Sequence, residues 1–169
     1  MQAVDTLEKF GQSYQSKVIA ALLTDLPFLN QVAEITNKDY FESEQDKWIV
    51  ESILDYQSKQ FAAPTLDVFK VKLSGLSSES QKKQIVDRIK QIYDVFGSED
   101  MDFVKTEYIK FSKFQKLKSA IFQSVDLIKS DQKARVLEFS PSLQSEGGDK
   151  VLEITEGGND NSIYKSVDK

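Results

Sequence analysis

The sequence predicts an all-α fold, a compact helical subdomain followed by a long antiparallel helical hairpin. Three observations predict it. Apolar residues recur three or four apart along extended segments, helix-capping residues stand at the segment ends, and no stretch of comparable length alternates apolar with polar as a strand does.

The first segment runs from about Thr6 to Leu23, where Leu7, Phe10, Tyr14, Val18, Leu22 and Leu23 make one amphipathic stripe. Asp5 followed by Glu8 resembles a capping box. Pro27 marks a break, and a short apolar helix through Phe28, Leu29, Val32 and Ile35 follows. Asn37 to Phe41 reads as a turn. Ser43-Glu44-Gln45-Asp46 has capping-box spacing and launches a helix through Trp48, Ile49, Ile53, Leu54 and Tyr56. Pro64-Thr65 opens another helix (Leu66, Val68, Phe69, Leu73), with Gly75 placed for a left-handed terminating residue. These pieces make the first expected domain, residues 1–76.

Residues 77–130 are expected to form the hairpin. Ser78 with Gln81 caps a helix whose apolar residues, Ile85, Ile89, Ile92, Tyr93 and Phe96, form a narrow stripe. Gly97 stops it, and the acidic run Ser98-Glu99-Asp100 suits the positive end of the next helix. That helix is expected from about Glu99 to Lys129, roughly 45 Å at 1.5 Å per residue. Phe103, Val104, Phe111, Phe114, Leu117, Ile121, Phe122, Val125 and Ile128 spread over about half its circumference at 100° per residue. A stripe on the partner helix cannot cover half a cylinder. The remainder must be covered by the amino-terminal subdomain folding back, by a second copy in an isologous contact, or by both. Residues 131–169 hold Pro141, two Gly-Gly pairs and many Ser, Asp, Glu and Lys, the composition of a polar, poorly packed tail or linker. Val151 to Ile154 is its one candidate strand.

Composition narrows the function. The 169 residues include 22 basic and 27 acidic, a net charge of −5, which argues against strong nonspecific binding to a phosphate backbone. Cysteine and histidine are both absent, which removes the usual thiolate nucleophile, the commonest general base and the usual zinc ligands. A non-catalytic chain with no cofactor is expected. The amino terminus carries Asp5 and Glu8 where a signal peptide needs a basic then apolar run. The most apolar stretch, Val18 to Leu29, is interrupted by Asp25 and Pro27 and is short for a bilayer span. A cytoplasmic location without membrane contact is expected.

Other motifs weigh little. Gly157 to Ser166 ends in Lys165-Ser166, but a P-loop needs glycine before its lysine and a helix after, and Tyr164 stands there. The carboxylates Asp39 with Glu42, and Glu99, Asp100 and Asp102, read as solvation and capping. Lys105, Lys113 and Lys116 line one side of the last helix, with aromatics between them in sequence, a pattern that contacts single-stranded nucleic acid in some proteins. The alternative is a solvated lysine face opposite an aromatic core face. Trp48, the only tryptophan, reads first as core and second as an interface anchor.

The run Tyr14-x-x-Lys17-Val18-Ile19-Ala20-Ala21-Leu22-Leu23-x-Asp25, continuing to Leu29-x-x-Val32, resembles the opening helices of DnaB-type helicase amino-terminal domains. Asp39-Tyr40-Phe41, then Trp48-Ile49 and Ile53-Leu54, is similar to that family's Asp-Phe turn and Ile-rich helix. Pro64-Thr65-Leu66 resembles the opening of the next helix in phage members. Asp102-Phe103-Val104-x-x-Glu107-Tyr108, with Leu117-x-x-Ala120-Ile121, resembles the second hairpin helix in helicases of T4-type phages. One departure is Gln45-Asp46-Lys47, where many members carry a histidine ahead of the Ile-rich helix.

The resemblance spans about residues 7–130 and implies a collar domain of a phage replicative helicase. Such a domain associates with itself as dimer or hexamer through its hairpin and docks primase or a helicase loader, touching DNA at most indirectly. Self-association is then expected at Ile89 and Tyr93 of the first hairpin helix, and at Phe103, Phe111, Phe114, Leu117 and Ile121 of the second. No RecA-like motor is recognisable after Ser130, so a piece of a helicase and a free-standing adaptor, loader or decoy both stay open. A single-strand-binding helical protein acting through Lys105, Lys113 and Lys116 is the remaining alternative.

Overall fold

The computed structural model describes residues 5–143, with side chains as far as residue 131. Every regular element among them is helical, as the apolar spacing predicts. The candidate strand at Val151 and the Gly157 to Ser166 run lie outside the described residues.

The expected first helix is two pieces. Leu7–Phe10 is a 3-10 turn, and α1 spans Gly11–Thr24. The cause is local: Gly11 has φ 79° and ψ 168°, a conformation essentially reserved for glycine. The capping box is not made either. Thr6 caps the turn by accepting from the Glu8 amide, which leaves Asp5 free to reach elsewhere. A Cβ on Gly11 would meet nothing within 4 Å, so the cost of Gly11→Ala is backbone strain alone. That variant is expected to lose about 1–3 kcal/mol of stability, read as a lower urea midpoint with an unchanged slope.

Asp25 ends α1 and starts α2, Leu26–Val32, by accepting a hydrogen bond from the Phe28 amide at 2.9 Å, with Pro27 in the first turn where its missing N–H costs nothing. Among the described residues no single helix is long and apolar enough to cross a membrane. The apolar run Leu7–Thr24 with Leu26–Ile35 is bent by 109°, and its Val18, Ile19, Leu22, Leu29 and Val32 are buried against the rest of the chain.

After two 3-10 turns, Ala33–Ile35 and Lys38–Tyr40, Ser43 caps α3, Glu44–Gln60, by accepting from the Asp46 amide at 3.0 Å. α4 covers Leu66–Ser74. Gly75 behind it has φ −77°, an ordinary right-handed value, so the left-handed terminator is instead Phe61 after α3. α5, Glu79–Tyr93, is capped by Ser78 as its Ser-x-x-Gln spacing predicts.

The hairpin expectation is corrected here. α5 packs on α1 and α3, sending Ile85, Ile89 and Ile92 into their core, rather than pairing along α6. α6 instead takes its neighbours from the amino-terminal elements. The Tyr14 hydroxyl donates to the Val104 carbonyl at 3.2 Å, and the Tyr108 hydroxyl donates to Thr36 Oγ1 at 3.1 Å. Of the two covers left open by the sequence, folding back of the amino-terminal subdomain is therefore realised.

α6 is also longer than expected, Met101–Leu143, and takes in residues 131–143, which the sequence assigns to a tail. The chain divides into two units inside this helix, residues 1–119 and 120–169, and not at residue 76. Residues 79–93 share the first unit's core because α5 carries three isoleucines on one side and needs α1 and α3 to cover them.

Candidate interaction surface

The apolar residues of α6 divide into two sets. In the first, Val104, Tyr108 and Phe111 are buried, together with the polar Ser112 and Gln115. Tyr108 sits among Phe28, Phe41 and Phe111, with ring centroids 6.1, 6.5 and 6.4 Å away. Phe111 meets Tyr40 and Phe10 edge-on at 5.2 and 6.3 Å. Such edge-to-face aromatic contacts add to the burial of the rings. The amino-terminal segment closes over this set, because Asp5 accepts hydrogen bonds from Gln115 and Lys118, both at 3.0 Å.

The second set is exposed. In the first unit Phe103, Phe114 and Leu117 are 64, 60 and 59% exposed. In the second unit Ile121, Val125, Leu127 and Ile128 are all exposed. Phe114, Leu117, Ile121, Val125 and Ile128 are spaced 3, 4, 4 and 3 apart. At 100° per residue they occupy an arc of about 80°, centred about 120° from the buried set. The broad apolar half-cylinder read from the sequence is thus two separate faces, one consumed by the chain's own core and one uncovered. Leu127 falls outside both.

This division sorts the predicted self-association residues. Phe103, Phe114, Leu117 and Ile121 are on the surface. Phe111 and Ile89 are not, at 7% exposure each, because the aromatic cluster encloses one and the α1–α3–α5 core the other. Tyr93 is half-buried and lies over Phe96, ring centroids 4.3 Å apart. Val125 and Ile128 join the uncovered face. Their 3–4 spacing with Ile121 is the signal that places them there.

The predicted lysine face is only partly available. Lys105 is held by Asp25 at 3.0 Å and Asp102 at 2.8 Å, so its charge is already matched. Lys113 and Lys116 are exposed and make no ion pair among the described residues. Lys110 and Lys118 pair with Glu107 and Asp5.

Several other ionisable groups have structural partners. The carboxylates grouped in sequence do not converge: Asp100 pairs with Lys17 at 2.6 Å, Asp102 with Lys105, and Glu42 accepts from Gln15 at 2.6 Å. The Phe28 amide and Lys105 hold the Asp25 carboxyl below the usual carboxylate range, and Gln115 and Lys118 do the same for Asp5. Burial, with the negative charge of Glu107, pushes the Tyr14 hydroxyl up to about 12.

One feature escaped the sequence reading. Asp46 of α3 and Arg88 of α5 form a buried bidentate ion pair, Nε to Oδ1 at 2.7 Å and Nη2 to Oδ2 at 2.9 Å, and Arg88 also donates to Gln91. The signal was present. Asp46 falls in register with Ile49, Val50 and Ile53, and Arg88 with Ile85 and Ile92, so opposite charges stand on two apolar stripes. Trp48, half-buried beside Phe69 at 6.3 Å, takes the core reading. Compared with known proteins, the chain matches no family model, no curated protein and no solved structure.

Proposed function

We propose that this chain is a non-catalytic interaction and oligomerisation module, the amino-terminal domain of a DnaB-type replicative helicase of a phage. In that role it helps form the hexamer's collar and docks primase or a loader protein in DNA replication. The observation that carries the interaction reading is the uncovered apolar face of α6. Large apolar side chains repeated every three or four residues on an exposed helix are expensive to leave in water, at about 1.5–3 kcal/mol for each fully buried leucine, isoleucine or phenylalanine. The helicase part of the reading rests on the residue resemblances of Tyr14 to Val32, Asp39 to Leu54, Pro64 to Leu66 and Asp102 to Ile121.

A free-standing adaptor uses the same face and differs only in what it serves. Single-strand binding is the weaker alternative, since Lys105, one of the three residues of the expected lysine face, already has carboxylate partners, as do its neighbours Lys110 and Lys118.

The experiment is the mass of the purified chain by light scattering, alone and with primase from the same source. The chain alone is expected to run as a dimer or larger. Leu117→Asp, which puts a charge in the middle of the face, is expected to weaken that association about 100-fold or more. A parent chain that stays monomeric at high concentration and ignores primase overturns the proposal.

A further inference from the structure

We propose that residues 5–10 form a displaceable strap, which opens about Gly11 before the rest of the chain unfolds and, in opening, adds Phe111 to the uncovered face of α6. The control of that face rests on the interaction reading above; the opening itself does not.

The strap is a closed local unit. Thr6 caps its 3-10 turn by accepting from the Glu8 amide, and the Gly11 amide closes the other end by donating to the Glu8 carbonyl. Gly11 is the joint to α1, and it has no side chain to hinder rotation. The position its Cβ would take is clear of other atoms to 4 Å, so the joint also has room to turn.

Few contacts hold the strap shut. Leu7 is fully buried, whereas Asp5, Glu8, Lys9 and Phe10 are exposed. The Phe10 ring stacks on Tyr14 at 4.7 Å and meets Phe111 edge-on. The Asp5 side chain, which accepts from Gln115 and Lys118, is itself 50% exposed, so water and salt compete for that clamp. By contrast α1 buries Val18, Ile19, Ala20 and Leu22 completely. Segments with few buried apolar contacts open ahead of the core.

What lies beneath gives the strap a use. Phe111 stands three residues before Phe114, about 60° round the helix from it on the neighbouring turn. With the strap closed, Phe10 is one of the rings that keep Phe111 out of the exposed surface. With it open, Phe111 joins Phe114 and Leu117. A partner that buries all three therefore stabilises the open form, and the strap sets how wide a face that partner meets.

The chain contains no cysteine, so single thiols report the opening. Leu7→Cys and, as a reference in α3, Ile53→Cys are made in the full chain and treated with Ellman's reagent in urea below the unfolding transition. Leu7→Cys is expected to react about tenfold or more faster than that variant's own global unfolding equilibrium allows, at a rate almost independent of urea. Ile53→Cys is expected to react only as fast as global unfolding allows, with a steep rise in urea. Adding Asp5→Ala is expected to speed Leu7→Cys about threefold. Leu7→Asp, whose carboxylate is expelled from an apolar site, is expected to hold the strap open and strengthen association about fivefold or more by light scattering. Asp5→Lys, which sets like charge against Lys118, is expected to shift association the same way with less risk to the fold.

Equal urea dependence at Leu7→Cys and Ile53→Cys shows that the strap opens only with the whole chain. That result overturns this inference and leaves the interaction reading intact. A strap that opens alone, with Leu7→Asp and Asp5→Lys associating no more strongly than the parent, also overturns it. A parent and variants that all stay monomeric at high concentration overturn the shared reading, and the control of the face with it.

Discussion

Asp46→Ala is expected to cost about 3–5 kcal/mol of stability, the largest loss for any single charged side chain among the described residues. The pair it breaks joins α3 to α5 in the core, with Asp46 at 1% and Arg88 at 7% side-chain exposure. Removing the aspartate leaves a guanidinium with no carboxylate and little water. Its remaining hydrogen bond, to Gln91 at 3.1 Å, does not compensate for the lost charge. A loss of this size lowers the melting temperature by about 6–20 °C for a chain of this length, measured by circular dichroism. The double variant Asp46→Leu with Arg88→Met is expected to recover most of it. A buried ion pair costs so much to desolvate that apolar residues of similar volume serve nearly as well. A single variant that melts with the parent would show the pair to be open to water.

The second large effect is a contrast between two aromatics six residues apart on α6. Tyr108 is fully enclosed, so Tyr108→Ala is expected to lose about 3–5 kcal/mol through the cavity left among Phe28, Phe41 and Phe111. Phe114 projects from the chain's own core, so Phe114→Ala is expected to leave the monomer's stability within about 0.5 kcal/mol. Its cost appears in association, as a dissociation constant raised about tenfold or more. Both are read by denaturant unfolding at high dilution together with light scattering at high concentration. If Phe114→Ala unfolds the monomer as readily as Tyr108→Ala does, the two faces of α6 are not distinct.

Helix content was legible because it depends on local spacing and caps. Ser43, Ser78 and Asp25 sit where a short polar side chain can satisfy a helix's first amides, and each does so. What was not legible depends on partners distant in sequence. The stripe on α5 says that the helix buries one side, but not whether α6 or the α1–α3 pair buries it. The apolar residues of α6 say that much surface needs covering, but their sum conceals a gap. Residues such as Ser112 and Gln115 lie in the buried face, while Phe103 lies in the exposed one, so polarity alone misplaces the boundary. The break at Gly11 was not legible for a related reason: an isolated glycine within a helical stripe is tolerated, so its presence alone does not mark a break. The uncovered face was partly readable: Phe103, Phe114, Leu117 and Ile121 of the expected set lie on the surface, whereas Ile89 and Phe111 are buried and the exposed Val125 and Ile128 stood outside the set.

The hydrogen bonds from Gln115 and Lys118 to Asp5, and from Tyr14 to Val104, join residues 110, 113 and 90 positions apart. A ribosome making this chain therefore releases α1 through α5 well before their lid exists. Tyr108 and Phe111 must emerge before Phe28, Phe41 and Tyr40 gain the ring contacts that help enclose them. At about 5–20 residues per second, several seconds pass between the synthesis of Phe10 and that of Phe111. Throughout that interval the rings of Phe28, Phe41 and Tyr40 lack the cover that α6 later gives them.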